Sequence, residues 1–365
     1  MNETNSALQF IRPEVRNSGG MGGGGSVAGF EHRMQWNENP FDFPADLKEE
    51  VLHRYAALAW SRYPTGLRPY ELIERIAQHS GVTPDMVTAG PGSSSIIKAI
   101  IDALIAPGDR VVMPTPTFLL YRRFAALAGA DIHPVPTSPD DDFALPVGDL
   151  IVCARTNEAK LVALCAPNNP TGTAYSSDDI ARIADESGAL VIVDEAYQEF
   201  SGQEMRPLLD RFDNVVLLRT FSKAYAMAGM RVGYALAAPT LAQEIDKTNL
   251  PFPIAVFSQI AAMVALENAD RFRAMTGRIV AERERLTAAL NALEGVRVFP
   301  SGANFLLVQL DRPTDELVRY LREEHSLLVN SMAAYPELVD CLRITVGTPE
   351  ENDLLARVMG IYMRG

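Results

Sequence analysis

Cysteine is scarce in this chain of 365 residues: Cys153, Cys165 and Cys341 are few and scattered, without the spacing of a thiolate metal site. Two of them fall in apolar, strand-like runs, so buried thiols in a reduced cytoplasm are expected. The five histidines (His32, His53, His79, His133 and His325) form no ligand pair on one helix face, and no metal is expected. Positive charge is also in deficit, with 33 Lys and Arg against 46 Asp and Glu and a net charge of −13. No basic footprint is left for a nucleic-acid backbone, so no such partner is expected. No uninterrupted apolar run is long enough to span a bilayer. The start, MNETNSALQF, has neither the basic residues nor the apolar core of a secretory signal. Internal repeats are absent too.

What remains is an ordinary globular composition, 47% hydrophobic and 22% charged, on a chain long enough for two lobes. Residues 18–26, SGGMGGGGS, cannot supply apolar area to offset their ordering entropy, and read as a flexible tail rather than an ordered lid. Helical patterns follow over 45–60 and 67–80, with a short strand at 87–89. Apolar runs near 110–113, 161–165, 189–194 and 215–218 alternate with helical patterns. That alternation predicts an α/β fold with a mostly parallel sheet flanked by helices on both faces. A further strand is expected over 232–237 and a long helical connector over 255–293. Strands near 304–309, 326–330 and 341–346 suggest a smaller C-terminal α/β domain. The expected organisation is an N-terminal arm (1–36), a large domain (37–265) and a small one (266–365).

The chemistry concentrates in residues 219–231, RTFSKAYAMAGMR. A buried strand end delivers Lys223, with Ser222 just before it and Arg231 eight positions on. A lysine so placed can form a Schiff base with an aldehyde cofactor while Ser222 and Arg231 hold that cofactor's phosphate. Arginine suits the phosphate because its planar fork donates two parallel charge-assisted bonds. Two upstream runs end in comparable fashion. ALVIVDEAY (189–197) closes on Asp194 and Tyr197, and LVALCAPNNPTG (161–172) on Asn169-Pro170-Thr171-Gly172. Gly90-Pro91-Gly92-Ser93-Ser94-Ser95 opens a helix whose free N–H groups, dipole and hydroxyls would cradle a phosphate, although a serine N-cap alone would also explain it. Gly92, Phe118, Asn169, Asp194 and Lys223 each follow the C-terminal end of a predicted strand, so a parallel sheet would bring them to one edge.

From about Asn37 onward, these motifs in this order resemble the fold-type I pyridoxal-phosphate aminotransferases, most closely the histidinol-phosphate aminotransferase family. The resemblance implies an aspartate-aminotransferase-like fold, pyridoxal 5'-phosphate as cofactor, and transfer of an amino group between an amino donor and a 2-oxo acid. The donor would be an aromatic amino acid or a histidinol-phosphate-like amine. A decarboxylase of threonine phosphate shares the fold and nearly all of the motifs and is the alternative. By the same resemblance Lys223 carries the cofactor and moves the substrate's proton, and Asp194 pairs with the pyridine nitrogen. Tyr197 and Asn169 hydrogen-bond the ring oxygen, and Phe118 stacks on the ring. Ser93, Ser94, Ser222 and Arg231 hold the phosphate, joined by the partner subunit's Tyr63 in a homodimer with shared sites. Asn37, in Asn37-Glu38-Asn39-Pro40, and Arg343 would meet substrate, with Asn304 near the same place. Two departures stand out. The arm has no tyrosine before Tyr55, and Asn330 stands where the family offers an arginine for the substrate phosphate.

Overall fold

The computed structural model describes residues 6–19 and 28–364. Most of the glycine-rich stretch, expected to be a flexible tail, lies outside them. The strands in chain order are β1 (His32–Arg33), β2 (Val87–Gly90), β3 (Arg110–Thr115), β4 (Asp131–Pro136), β5 (Leu161–Cys165), β6 (Leu190–Asp194) and β7 (Val215–Thr220). Then follow β8 (Gly233–Ala237), β9 (Val296–Val298), β10 (Phe305–Leu310), β11 (Leu327–Leu328), β12 (Asn330–Ser331) and β13 (Cys341–Thr345). Seven of them form one sheet in the order β2-β8-β7-β6-β5-β3-β4. Only β8 runs against its neighbours, being antiparallel to both β7 and β2, so the sheet is mostly parallel as expected.

The central strands read as unbroken apolar runs because helices bury them on both faces. Val162, Leu164, Val191, Val193, Val215 and Leu217 pack into one core, while Leu161, Ala163, Ile192, Val216 and Leu218 pack into a second on the other side. Between β5 and β6 runs the helix Ser177–Glu186, capped by Ser176, whose hydroxyl accepts from the Asp179 N–H. The other sheet is antiparallel, β12-β13-β10-β9, and its apolar face packs with the helices Ala269–Asn291, Asp315–His325 and Pro349–Arg364.

Two expectations are adjusted. The helix expected from 67 starts at Tyr70, because Pro69 disfavours helical geometry at the residue before it. The connector expected as one long helix is two, Val256–Glu267 and Ala269–Asn291; Asn268 leaves helical geometry between them and its amide caps the Val264 carbonyl. Residues 32–34, within the expected arm, pair with the C-terminal region. β1 pairs in parallel with β11, and Met34 bridges Leu328 and Thr345 through its N–H and C=O. Among the described residues, no helix is long and apolar enough to cross a membrane.

Candidate active site

At the C-terminal edge of the large sheet the strand ends open into one cavity of about 360 Å³. Ser93, Ser94, Phe118, Asn169, Asp194, Tyr197, Ser222, Lys223, Arg231, Arg343 and Asn37 all line it. The parallel topology brings the strand-end residues to one edge, and Asn37 and Arg343, 306 positions apart and outside that sheet, close the cavity from the other side. Two predicted site residues do not line it. Tyr63 is 81% exposed and stacks on Phe252 with ring centroids 4.7 Å apart. Asn330 is paired in register with Arg343 across β12 and β13, beside the cavity rather than in its wall.

Asp194 ends β6 almost fully buried, with Cys165 of β5 as its neighbour in register. The Ala196 N–H donates to its Oδ1 (3.1 Å) and the Tyr121 hydroxyl to its Oδ2 (3.1 Å). No cation pairs with it among the described residues. Burial therefore pushes its carboxyl up to about 6, against the pull of those two donors and of Lys223. Lys223 follows β7, and its Nζ donates to the Trp36 carbonyl oxygen (3.0 Å). Burial first, and then the positive Arg343, bring the amine down to about 7, which favours the neutral, nucleophilic form.

At the other end of the cavity, Gly92 precedes the helix Ser93–Leu104 with φ +85°. A β-carbon there would come within 2.5 Å of Arg231 Nη2, so only glycine lets the guanidinium lie against the helix start. Arg231 Nη1 donates to the Ala228 carbonyl (3.1 Å) and reaches the Ser222 hydroxyl (3.4 Å), which also receives a hydrogen bond from Thr220 (3.0 Å). First-turn N–H groups, three serines and a guanidinium thus converge, a donor set suited to a phosphate.

Asn37, expected to meet substrate, also has a supporting position. Its Nδ2 donates to the Tyr197 hydroxyl (3.0 Å), its N–H to Thr345 Oγ1 (2.9 Å), and its carbonyl accepts from Asn304 (3.1 Å). Burial pushes the Tyr197 phenol up to about 12. Arg343 Nη1 donates to Asn169 Oδ1 (2.7 Å) and Nη2 to the Gln35 carbonyl (2.9 Å). Both partners are neutral, and among the described residues no carboxylate answers this largely buried guanidinium.

Sequence reasoning missed Tyr121 as an Asp194 partner and the Trp36 carbonyl as the lysine's acceptor. Tyr121 was detectable, since it lies three residues beyond Phe118 on a helical turn and so shares its face. The backbone carbonyl of Trp36 left no signal in residue type.

The residues fit pyridoxal phosphate on these observations: a buried carboxylate with no cation, a lysine poised near neutrality, and a glycine-lined cradle of donors. A sheet carrying this set at its C-terminal edge defines a fold-type I pyridoxal-phosphate enzyme. The chain belongs to the aminotransferase class I and II family, whose sequence model matches residues 32–359. It is 38% identical over 330 residues to a histidinol-phosphate aminotransferase from Chlorobaculum tepidum, covering 90% of this chain and 93% of the relative. The histidinol-phosphate aminotransferase of Sinorhizobium meliloti, solved in complex with pyridoxal-5'-phosphate, superposes with a TM-score of 0.89 at 25% identity, covering 98% of this chain and 99% of that one. An L-threonine-O-3-phosphate decarboxylase from Porphyromonas gingivalis shares the fold, with a TM-score of 0.80 at 22% identity over 92% and 100% of the chains. The protein is a pyridoxal-phosphate-dependent aminotransferase.

Proposed function

We propose that this aminotransferase acts on α-amino carboxylates with an aromatic or bulky apolar side chain in preference to histidinol phosphate, as a homodimer in the cytoplasm. The carrying observation is Arg343, a largely buried guanidinium that meets no carboxylate among the described residues and whose cross-strand partner is the neutral Asn330. A buried charge is costly until it is paired, and one carboxylate satisfies one guanidinium in bidentate geometry. A dianionic phosphate would want a second cation, and Asn330 supplies none. Trp36 and Tyr197 in the cavity wall offer aromatic surface to the side chain.

Bound pyridoxal phosphate supplies an aldehyde and an electron-withdrawing ring that lowers the cost of removing the substrate's α-proton. Lys223 Nζ would hold the cofactor through its aldehyde carbon, and when released by the substrate's amine would serve as the base that moves a proton from the substrate's α-carbon. Asp194 would pair with the ring nitrogen and keep it protonated, while Tyr197 and Asn169 would hydrogen-bond the ring oxygen. Phe118 would stack on the ring, and Ser93, Ser94, Ser222 and Arg231 would hold the phosphate. Arg343 would orient the substrate carboxylate. The three free thiols suit a reducing compartment.

The test is kcat/KM for an aromatic amino acid and for histidinol phosphate, on wild type, Arg343→Ala and Asn330→Arg. Arg343→Ala should cost the amino acid about 2–5 kcal/mol, the range for truncating one partner of a buried charge pair. Asn330→Arg should move preference toward the phosphorylated substrate. The names of the relatives favour histidinol phosphate; a wild type that turns it over far better than any amino acid overturns this reading. The decarboxylase alternative rests on a likeness of fold alone, and would require carbon dioxide as product without consumption of an oxo acid.

A further inference from the structure

We propose that Tyr121 is a positioning residue for the cofactor ring, acting through Asp194: its hydroxyl, 3.1 Å from Oδ2, holds the carboxylate in the orientation and charge state that bind the protonated ring nitrogen. The Asp194 carboxylate receives only two hydrogen bonds among the described residues, and they come from different sources. The Ala196 N–H belongs to the turn that follows β6 itself. Tyr121 reaches in from the helix Leu119–Leu127, where it is buried in the same core as Ala163, Cys165 and Ile192 of β5 and β6. The same turn that places Phe118 in the cavity wall therefore places the Tyr121 hydroxyl behind the carboxylate, the two rings meeting edge to face at 6.4 Å.

The chemistry of the donor matters. A carboxylate enclosed like Asp194 drifts toward its neutral acid, which cannot compensate a positive ring nitrogen. A lysine or arginine behind it would keep the anion but spend its charge on a salt bridge. Tyrosine donates a hydrogen bond and brings no charge, so the anion's field remains directed at the cavity. Burial and the adjacent Asp194 drive the Tyr121 phenol well above its ordinary value, so it serves only as a donor. The neighbouring Cys165 thiol is likewise held neutral by burial and does not compete.

This inference rests on the proposed placement of Asp194 against the ring nitrogen, and one pair of ligands separates the two. Apoprotein is titrated with pyridoxal phosphate and with its carbocyclic analogue, in which CH replaces the ring nitrogen. Wild type should prefer pyridoxal phosphate; no preference sinks the Asp194 placement. Tyr121→Phe keeps the ring in the core and removes only the hydroxyl. It should shrink the preference by about tenfold, the scale of a hydrogen bond to a charged group, while binding the analogue as wild type does. A wild-type preference that survives Tyr121→Phe, or equal losses for both ligands, overturns the role of Tyr121 alone. As a second measure, Tyr121→Phe should change nothing further in an Asp194→Asn background, and independent additive losses would count against the coupling.

Discussion

Lys48, Lys98, Lys160 and Lys247 each sit against a carboxylate, whereas Lys223 has only a backbone carbonyl and is pushed down to about 7. Enclosure and the nearby Arg343 favour the neutral amine of Lys223. The sign of the pH dependence follows. Only the neutral amine attacks an aldehyde, so capture of pyridoxal phosphate by the apoprotein should accelerate as pH rises toward about 7 and then level off. An ordinary lysine would keep accelerating to about pH 10. The measurement is the initial rate of cofactor capture by absorbance, with borohydride fixing the label to the Lys223 peptide. Lys223→Ala should bind the cofactor without covalent attachment and lose turnover. Label on another lysine, or a rate still climbing well above pH 8, would remove Lys223 from this role.

The strand ends set the cradle as much as the side chains do. Gly233 opens β8 opposite Gly90 of β2, and a β-carbon there would come within 2.3 Å of the Ser93 nitrogen and 2.6 Å of the Gly92 carbonyl carbon. Those neighbours are backbone and cannot swing aside, so the helix start proposed to hold the phosphate would have to move. Gly233→Ala should destabilise the protein by about 1–3 kcal/mol, as overpacking does, and weaken cofactor binding with it. Gly229→Ala, where an added methyl meets nothing within 4 Å, serves as control. Undiminished cofactor affinity in Gly233→Ala would show that the contact is slack. The same elements explain what was legible beforehand. β5 could be read to the residue because burial on both faces leaves an unbroken apolar run, and its turn motif followed directly. β4 could not, because an edge strand carrying Pro134 and Pro136 and mostly exposed or half-buried side chains shows neither apolar run nor clean alternation. The pairing of residues 32 and 33 with β11 left no signal, because a two-residue strand has no period to detect. Asn330 and Arg343 were both marked from resemblance, but their pairing depends on strand register, which sequence pattern leaves open.

On the scale of the whole molecule, the feature without a use inside one chain is the surface around Tyr63. Tyr63 is 81% exposed, Trp60 73%, Leu67 62% and Leu250 76%, and they neighbour a cleft of about 820 Å³ between the segment 54–78 and the helix Val256–Glu267. Phe252 ties the two sides together, stacking on Tyr63 and donating its N–H to the Leu67 carbonyl (2.9 Å). Apolar exposure on this scale marks an interaction surface. The proposed homodimer would cover it and bring Tyr63 to the phosphate end of the neighbouring site, where this chain already supplies Ser93, Ser94, Ser222 and Arg231. The assignment can be tested by complementation. Tyr63→Ala and Lys223→Ala homodimers should each be severely impaired, because every site lacks one of the two residues. In a mixed dimer, one site takes Lys223 from the first variant's chain and Tyr63 from the second's, and so is whole, while the other site lacks both. Subunit exchange should therefore restore activity to one site per mixed dimer. No recovery, with exchange demonstrated by differently tagged chains, would return Tyr63 to its own subunit's surface and leave that surface to another occupant.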